Sequence, residues 1–563
     1  MSLDQSSSDA LPPLHKGKAC SNCRRRKVRC DAVKPVCGPC LRSTGAFSDC
    51  EYTESGFTQT QQLQDQIAVL EARIEELQTS GQGSVTLRNP YRGQELEGSS
   101  IRQPQPETPS QNASFGPGIM HLVADRLLEE LPSNLHQSLI NNFLPHAEEM
   151  GLFLDADRFA QVALDDQGPY EKPIPALLNA VYVIGAHFST PAYPADTLAA
   201  FVKRALQTVS TGLQVNHTQK VIQTIQAEIL VAQLLFVNGR LLEGRYHITA
   251  AASLVLSAKL NKYAGGRVTN VGVAGSAGVG AGSTLEQTLP VPKDILEEAE
   301  RIRAFWTVLW MNNIWTAIDG LPSNITYTTT EARVDTPWPL DFADYKQLQN
   351  VGREQITMGH NTIQNFLMNV PDNVRSTAAL RSKAGILFEQ ATLIGAQYKA
   401  DPSSANLERY FLSLGSLIQR FIENLPAINQ ASPGASIVDQ LCIHTLARVA
   451  LIRLYLPFVD QDITSFSRVM NAARSVVELL RGVDLSRIQF IDPILAMLWA
   501  TTCQALMNGT KESRVVDMSW SLITPAGMHS LCREMMSTME HFVSRCPLMK
   551  SQYRDVQAAM RTM

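Results

Sequence analysis

The stretch CSNCRRRKVRCDAVKPVCGPCLRSTGAFSDC, residues 20–50, holds six of the chain's ten cysteines. Their spacing is C-x2-C-x6-C-x6-C-x2-C-x9-C. Each C-x2-C pair is a bidentate thiolate claw, the usual start of a zinc site. A tetrahedral zinc takes four ligands, so two independent zincs would take eight. The segment has six cysteines and no histidine, and six thiolates serve two zincs only if two are shared. The repeated spacing points to a pseudo-symmetric pair of loops whose leading cysteines are the natural bridges. That assigns Cys20 and Cys37 to both metals, Cys23 and Cys30 to one, and Cys40 and Cys50 to the other.

Charge is concentrated in the same place. Between Lys16 and Arg42 nine Lys/Arg face one acid, Asp31, a net of +8. Six thiolates on two Zn²⁺ sum to about −2, because coordinating thiols lose their protons. The surplus cation suits a phosphate backbone. Other chemistries use the same cysteines: a disulfide framework, one zinc with two spare thiols, or a copper–thiolate cluster. The first needs an oxidising compartment, and MSLDQSSSDALPPLHKGKAC lacks the apolar core of a signal peptide. His15 reads as a tail residue, not a seventh ligand.

The segment resembles the fungal binuclear zinc cluster transcription factors, whose signature is six cysteines, a basic run between the second and third, and a proline two positions before the fourth. Those features are here Cys20 to Cys50, RRRKVR and Pro35. The resemblance implies two Zn²⁺, a nuclear location, action on RNA polymerase II genes and double-stranded DNA as partner. It also implies a short helix after the first cysteine pair that enters the major groove. By position Lys27, with Arg26 beside it, would read base edges of a CGG-type triplet. Arg24 and Arg29 fall where phosphates are contacted, with Arg25 in the same run. The last gap, nine residues, is slightly longer than this pattern expects.

Outside that head the composition is globular, with 44% hydrophobic and 18% charged residues and a net charge of −4. The basic balance is confined to the N-terminus, so only the head should bind nucleic acid electrostatically. Cys442, Cys503, Cys532 and Cys546 are scattered without claw spacing and read as buried reduced thiols. No uninterrupted apolar run reaches about 18–20 residues, so no membrane partner is expected.

In chain order, residues 1–15 read as a disordered tail and 16–55 as the cluster domain. Residues 56–80 read as a linker and dimerisation helix. Leu63, Ile67, Leu70, Ile74 and Leu77 are spaced 4, 3, 4, 3. Ile at a and Leu at d favours a parallel two-stranded coiled coil, hence a homodimer. Residues 51–62, extended, reach at most ~40 Å, which permits several half-site spacings. Residues 81–118, rich in Ser, Gly, Gln and Pro, read as a disordered tether.

From residue 119 to 563 apolar residues recur at three- and four-residue intervals, as in IMHLVADRLLEEL, IPALLNAVYVIGAHF and TLARVALIRLYLPF. The fold class expected is therefore all-α: a two-zinc head, a short coiled coil, a tether and a large helical regulatory body. Residues 264–292, rich in Gly, Ala and Val, read as a surface loop. NGRLLEGRYHITAAASLVLSAKLNK, then ERIRAFWTVLWMNNIWTAIDGLPSNI and TPWPLD, resemble the fungal-specific transcription factor domain over roughly residues 135–345. The residues carrying that resemblance are Arg303, Phe305, Trp306, Gly320 and Pro322. It implies a regulatory region on which a small-molecule effector or co-regulator acts. Asn312 and Asn313 stand where that family often has an ion pair. Trp306, Trp310 and Trp315 read as core before ligand cage.

No catalytic residues are expected. H-E-x-x-H, G-x-S-x-G and G-x-x-x-x-G-K-[ST] are all missing, and His247 and His444 stand alone on apolar helices. A second function class remains beside the transcription factor: a metabolite-binding helical regulator whose zinc head serves as a tether to chromatin or a protein partner.

Overall fold

The computed structural model describes residues 19–34, 36–42, 50, 131–165, 171–264, 267–268, 289–327, 329, 332–348, 359–428, 436–512 and 524–562. The heptad residues 63–77, His15, the tether, IMHLVADRLLEE and most of the Gly-rich segment lie outside the described residues. The chain divides into two units, residues 1–111 and 112–563.

In the first unit two short helices, Ser21–Arg25 and Gly38–Leu41, each start on the residue after a claw's leading cysteine. Cys20 and Cys37 are their N-caps, with near-identical extended backbones (φ −61, ψ 156 and φ −71, ψ 151). The repeat in the spacing is thus a repeat in conformation. The first helix begins inside the claw and not after it, because a Cys at N-cap turns both claw thiols to one side.

The second unit is helical, with sixteen α-helices among the described residues from Ser133–Phe143 to Pro547–Arg561. The exception is a two-residue antiparallel ladder, Tyr263–Ala264 with Arg267–Val268, at the root of the Gly-rich segment. Ile295–Ala317 is the central helix. It packs on Leu241–Ser257 and on Thr377–Ala400, which in turn packs on Ile437–Tyr455. These helices are apolar on most faces because they are surrounded, as expected for core helices. Lys220–Val237 and Ile437–Phe458 are long and apolar enough to cross a membrane by length and mean hydropathy, 1.4 each, although Glu228 and Asp439 keep either from being an uninterrupted apolar run. They lie mostly inside the body, so their apolar surface is already covered.

The central helix is capped at both ends. Asp294 accepts the N–H of Glu297 at 2.8 Å. At the far end Gly320 is left-handed (φ +70), Gly320 N–H donates to Ala317 and Leu321 N–H to Thr316. That is a Schellman stop, followed by Pro322, which accounts for the Gly-x-Pro turn. The TPWPLD segment is bound to the same helix. Trp306 Nε1 donates to the Pro337 carbonyl at 2.6 Å, and Arg303 Nη1 donates to Leu340 at 3.0 Å. Trp306 also stacks on Trp338.

Asn312 and Asn313 are fully buried, and a neutral hydrogen-bond network surrounds them. Asn312 Nδ2 donates to Ser323 Oγ at 2.6 Å, and Ser323 Oγ donates to Asn313 Oδ1 at 3.0 Å. Asn324 Nδ2 donates to Asn312 Oδ1 at 2.9 Å. The network holds the turn to the helix without a buried charge to desolvate. His247 pairs with Glu228 at 2.5 Å, and His444 bonds the Pro426 carbonyl at 2.9 Å. Cys442, Cys503, Cys532 and Cys546 are buried free thiols.

Candidate metal centre and nucleic-acid interface

The two claws face one another. Cys20, Cys23, Cys30 and Cys37 bring their sulfurs within 4.8 Å of one another, and so do Cys20, Cys37, Cys40 and Cys50. The two tetrads share Cys20 and Cys37. Sγ–Sγ separations are 3.7 Å for Cys20–Cys37 and for Cys20–Cys40, and 3.5 Å for Cys23–Cys37. A tetrahedron with Zn–S near 2.3 Å has edges of about 3.8 Å, so the sulfurs fit such ions. Cys20, Cys23 and Cys37 are completely buried and Cys50 is partly exposed.

Burial pushes the Cys20 thiol up to about 12 and raises Cys23 and Cys37 as well. Cys40 is held down, chiefly by the hydrogen bond from Cys37. Buried sulfurs this close together can all become thiolates only when a divalent cation takes the place of their protons.

Polar groups hold the sulfurs in position. Cys23 N–H donates to Cys20 Sγ at 3.3 Å, Ala32 N–H to Cys30 Sγ at 3.4 Å, and Cys37 N–H to Cys50 Sγ at 3.2 Å. Two further residues went unnoticed in the sequence. Asn22 Nδ2 donates to Cys40 Sγ at 3.4 Å, and Asp31 accepts the N–H of Gly38. Asp31, the acid directly after Cys30, thereby supplies from the first loop the acceptor that the second helix's N-cap residue, Cys37, does not.

Around this core the basic run is turned outward. Arg24, Arg25, Arg26, Lys27 and Arg29 are all exposed. Lys27 lies just beyond the first helix in the left-handed region (φ +53). Its N–H donates to Arg24 at 3.3 Å and that of Val28 to Cys23 at 3.1 Å, a Schellman stop that lifts Lys27 clear of the helix end.

Residues 18–56 match the family model of the fungal Zn(2)-Cys(6) binuclear cluster domain. Such a domain binds two zinc ions through six cysteines and marks a DNA-binding transcription regulator. The family is a DNA-binding one, not an enzymatic one. Compared with curated proteins and with solved structures, the chain has no match.

Proposed function

We propose that this chain is a sequence-specific regulator of RNA polymerase II genes that works in the nucleus and reads CGG-type triplets through its cluster domain. Cys20 and Cys37 bridge the two zincs, Cys23 and Cys30 complete one, and Cys40 and Cys50 the other. Lys27 and Arg26 donate to guanine O6 and N7, while Arg24, Arg25 and Arg29 neutralise phosphates. The observation that carries this reading is the cationic rim: five exposed Arg/Lys on a scaffold of buried sulfurs. Leu63, Ile67, Leu70, Ile74 and Leu77 pair two chains, so that two triplets are read at once.

The helical body is the regulatory part, similar to a fungal-specific transcription factor domain. A cavity of about 260 Å³ beside Arg303, Trp306, Trp310 and Arg381 gives a small-molecule effector room to bind. Selection of bound sequences from random DNA by the zinc-loaded chain, at stated salt, tests the reading. Paired CGG-type triplets at a fixed spacing are expected. Unselective binding would sink the reader assignment, and single triplets would sink the dimer.

A further inference from the structure

Asn22 sits in the first helix between two cysteines of the first tetrad, yet its side chain reaches into the second. It is 2% exposed, and its Nδ2 lies 3.4 Å from Cys40 Sγ. Cys40 belongs to the second tetrad and not to the first. The backbone donors serve Cys20, Cys30 and Cys50. Cys40 is reached by a side chain, from the opposite half of the pseudo-symmetric pair. Asp31 makes a further polar tie between the halves, to the backbone of Gly38 and not to a sulfur.

We propose that Asn22 is a positioning residue for the second metal, coupling the helix that carries the cationic rim to a site to which that helix gives no ligand of its own. The inference rests on the ligand allocation proposed above. An N–H···S bond withdraws charge from a thiolate, fixes the direction of its lone pairs and opposes its protonation as the metal leaves. Outer partners of this kind change metal retention by roughly 10–100-fold. Because the donor is on the first helix, loss of the second metal also frees one end of that helix from its tether. The rim of Arg24, Arg25 and Arg26 therefore answers to both metals, although Cys23 is the helix's own ligand.

The test uses the full-length zinc-loaded chain and its ¹¹³Cd-substituted form. In the wild type, cysteine β-proton couplings to cadmium should divide into one ion seen by Cys23 and Cys30 and another seen by Cys40 and Cys50. Any other division refutes the allocation itself. Given that division, Asn22→Leu keeps the branched side-chain shape and removes the donor. It should shift the resonance coupled to Cys40 and Cys50 and leave the other in place. Transfer of zinc to a chromophoric chelator should then show one of two equivalents leaving roughly 10–100-fold faster. Asn22→Asp, which sets a carboxylate against the thiolate, should accelerate the same equivalent at least as much. Wild-type release from Asn22→Leu, or equal acceleration of both ions, would overturn the proposal.

Discussion

Asp31 receives the Gly38 backbone N–H with both carboxylate oxygens, at 2.9 and 3.1 Å, and so closes the second short helix from the first loop. The fit is tight: a Cβ on Gly38 would lie 2.4 Å from Asp31 Oδ2. Losing an N-cap acceptor costs about 1 kcal/mol. Asp31→Ala should therefore weaken the folded head by about that amount, seen as a lower chelator concentration at half-release of zinc. Gly38→Ala should do the same by steric conflict, and unchanged release in both would remove the cap from the account.

Lys27 has a left-handed backbone at φ +53, where a side chain costs roughly 1–2 kcal/mol and glycine almost nothing. Strain and charge can therefore be separated. Lys27→Ala keeps the strain and removes the cation; Lys27→Gly removes both. Both variants should retain two zincs and lose triplet preference, with Lys27→Gly holding its metals at least as firmly as wild type. Triplet preference surviving in either variant, measured by competition at fixed salt, would exclude Lys27 as the reader.

The metal centre was legible because ligand number is a counting constraint: six sulfurs and two tetrahedral ions leave little freedom, and the shared pair Cys20 and Cys37 follows from the duplicated spacing. The helical class was legible because helices such as Ile437–Tyr455 repeat their apolar residues at three- and four-residue intervals over a length that strands do not reach. What the sequence hid are contacts set by three-dimensional approach. Nothing in the spacing tells which sulfur Asn22 will meet, since the distance from Asn22 to Cys40 is closed by the fold. The network of Asn312, Asn313 and Ser323 was hidden likewise, because amides and hydroxyls both donate and accept and so leave their partners open. The ladder at Tyr263–Val268 is too short for a periodicity to register.

Trp306 is the residue through which the central helix holds the TPWPLD segment. Its indole N–H is buried against the Pro337 carbonyl at 2.6 Å, and its ring stacks on Trp338 at 4.4 Å. Trp306→Phe keeps most of the stacking but leaves that carbonyl without its donor, at a cost of about 1–3 kcal/mol. Chemical denaturation of the body should show that loss, while zinc content stays at the wild-type value. Gly385→Ala should give a loss of similar size, since a Cβ there would lie 2.7 Å from Trp310 Cδ1. Wild-type stability in Trp306→Phe would mean the carbonyl finds another donor.

Asp492 gives the body a pH dependence whose sign can be worked out. Burial pushes its carboxyl up to about 6, against the partial opposing effect of Arg381, whose Nη2 is 3.8 Å away. A free aspartate titrates near 3.9, so between about pH 4 and 6 the folded chain holds a proton that the unfolded chain has lost. Stability from this group therefore falls as pH rises through that window, reaching a loss on the order of 3 kcal/mol at neutrality. Asp492→Asn keeps an acceptor for the Ile494 N–H, bonded at 3.1 Å, and removes the titration. Arg381 retains Asp439 at 3.0 Å. The difference in unfolding free energy between variant and wild type should accordingly grow in the variant's favour from pH 4.5 to pH 7. A flat difference across that range would show that Arg381 compensates Asp492 in full and that its carboxylate is charged throughout.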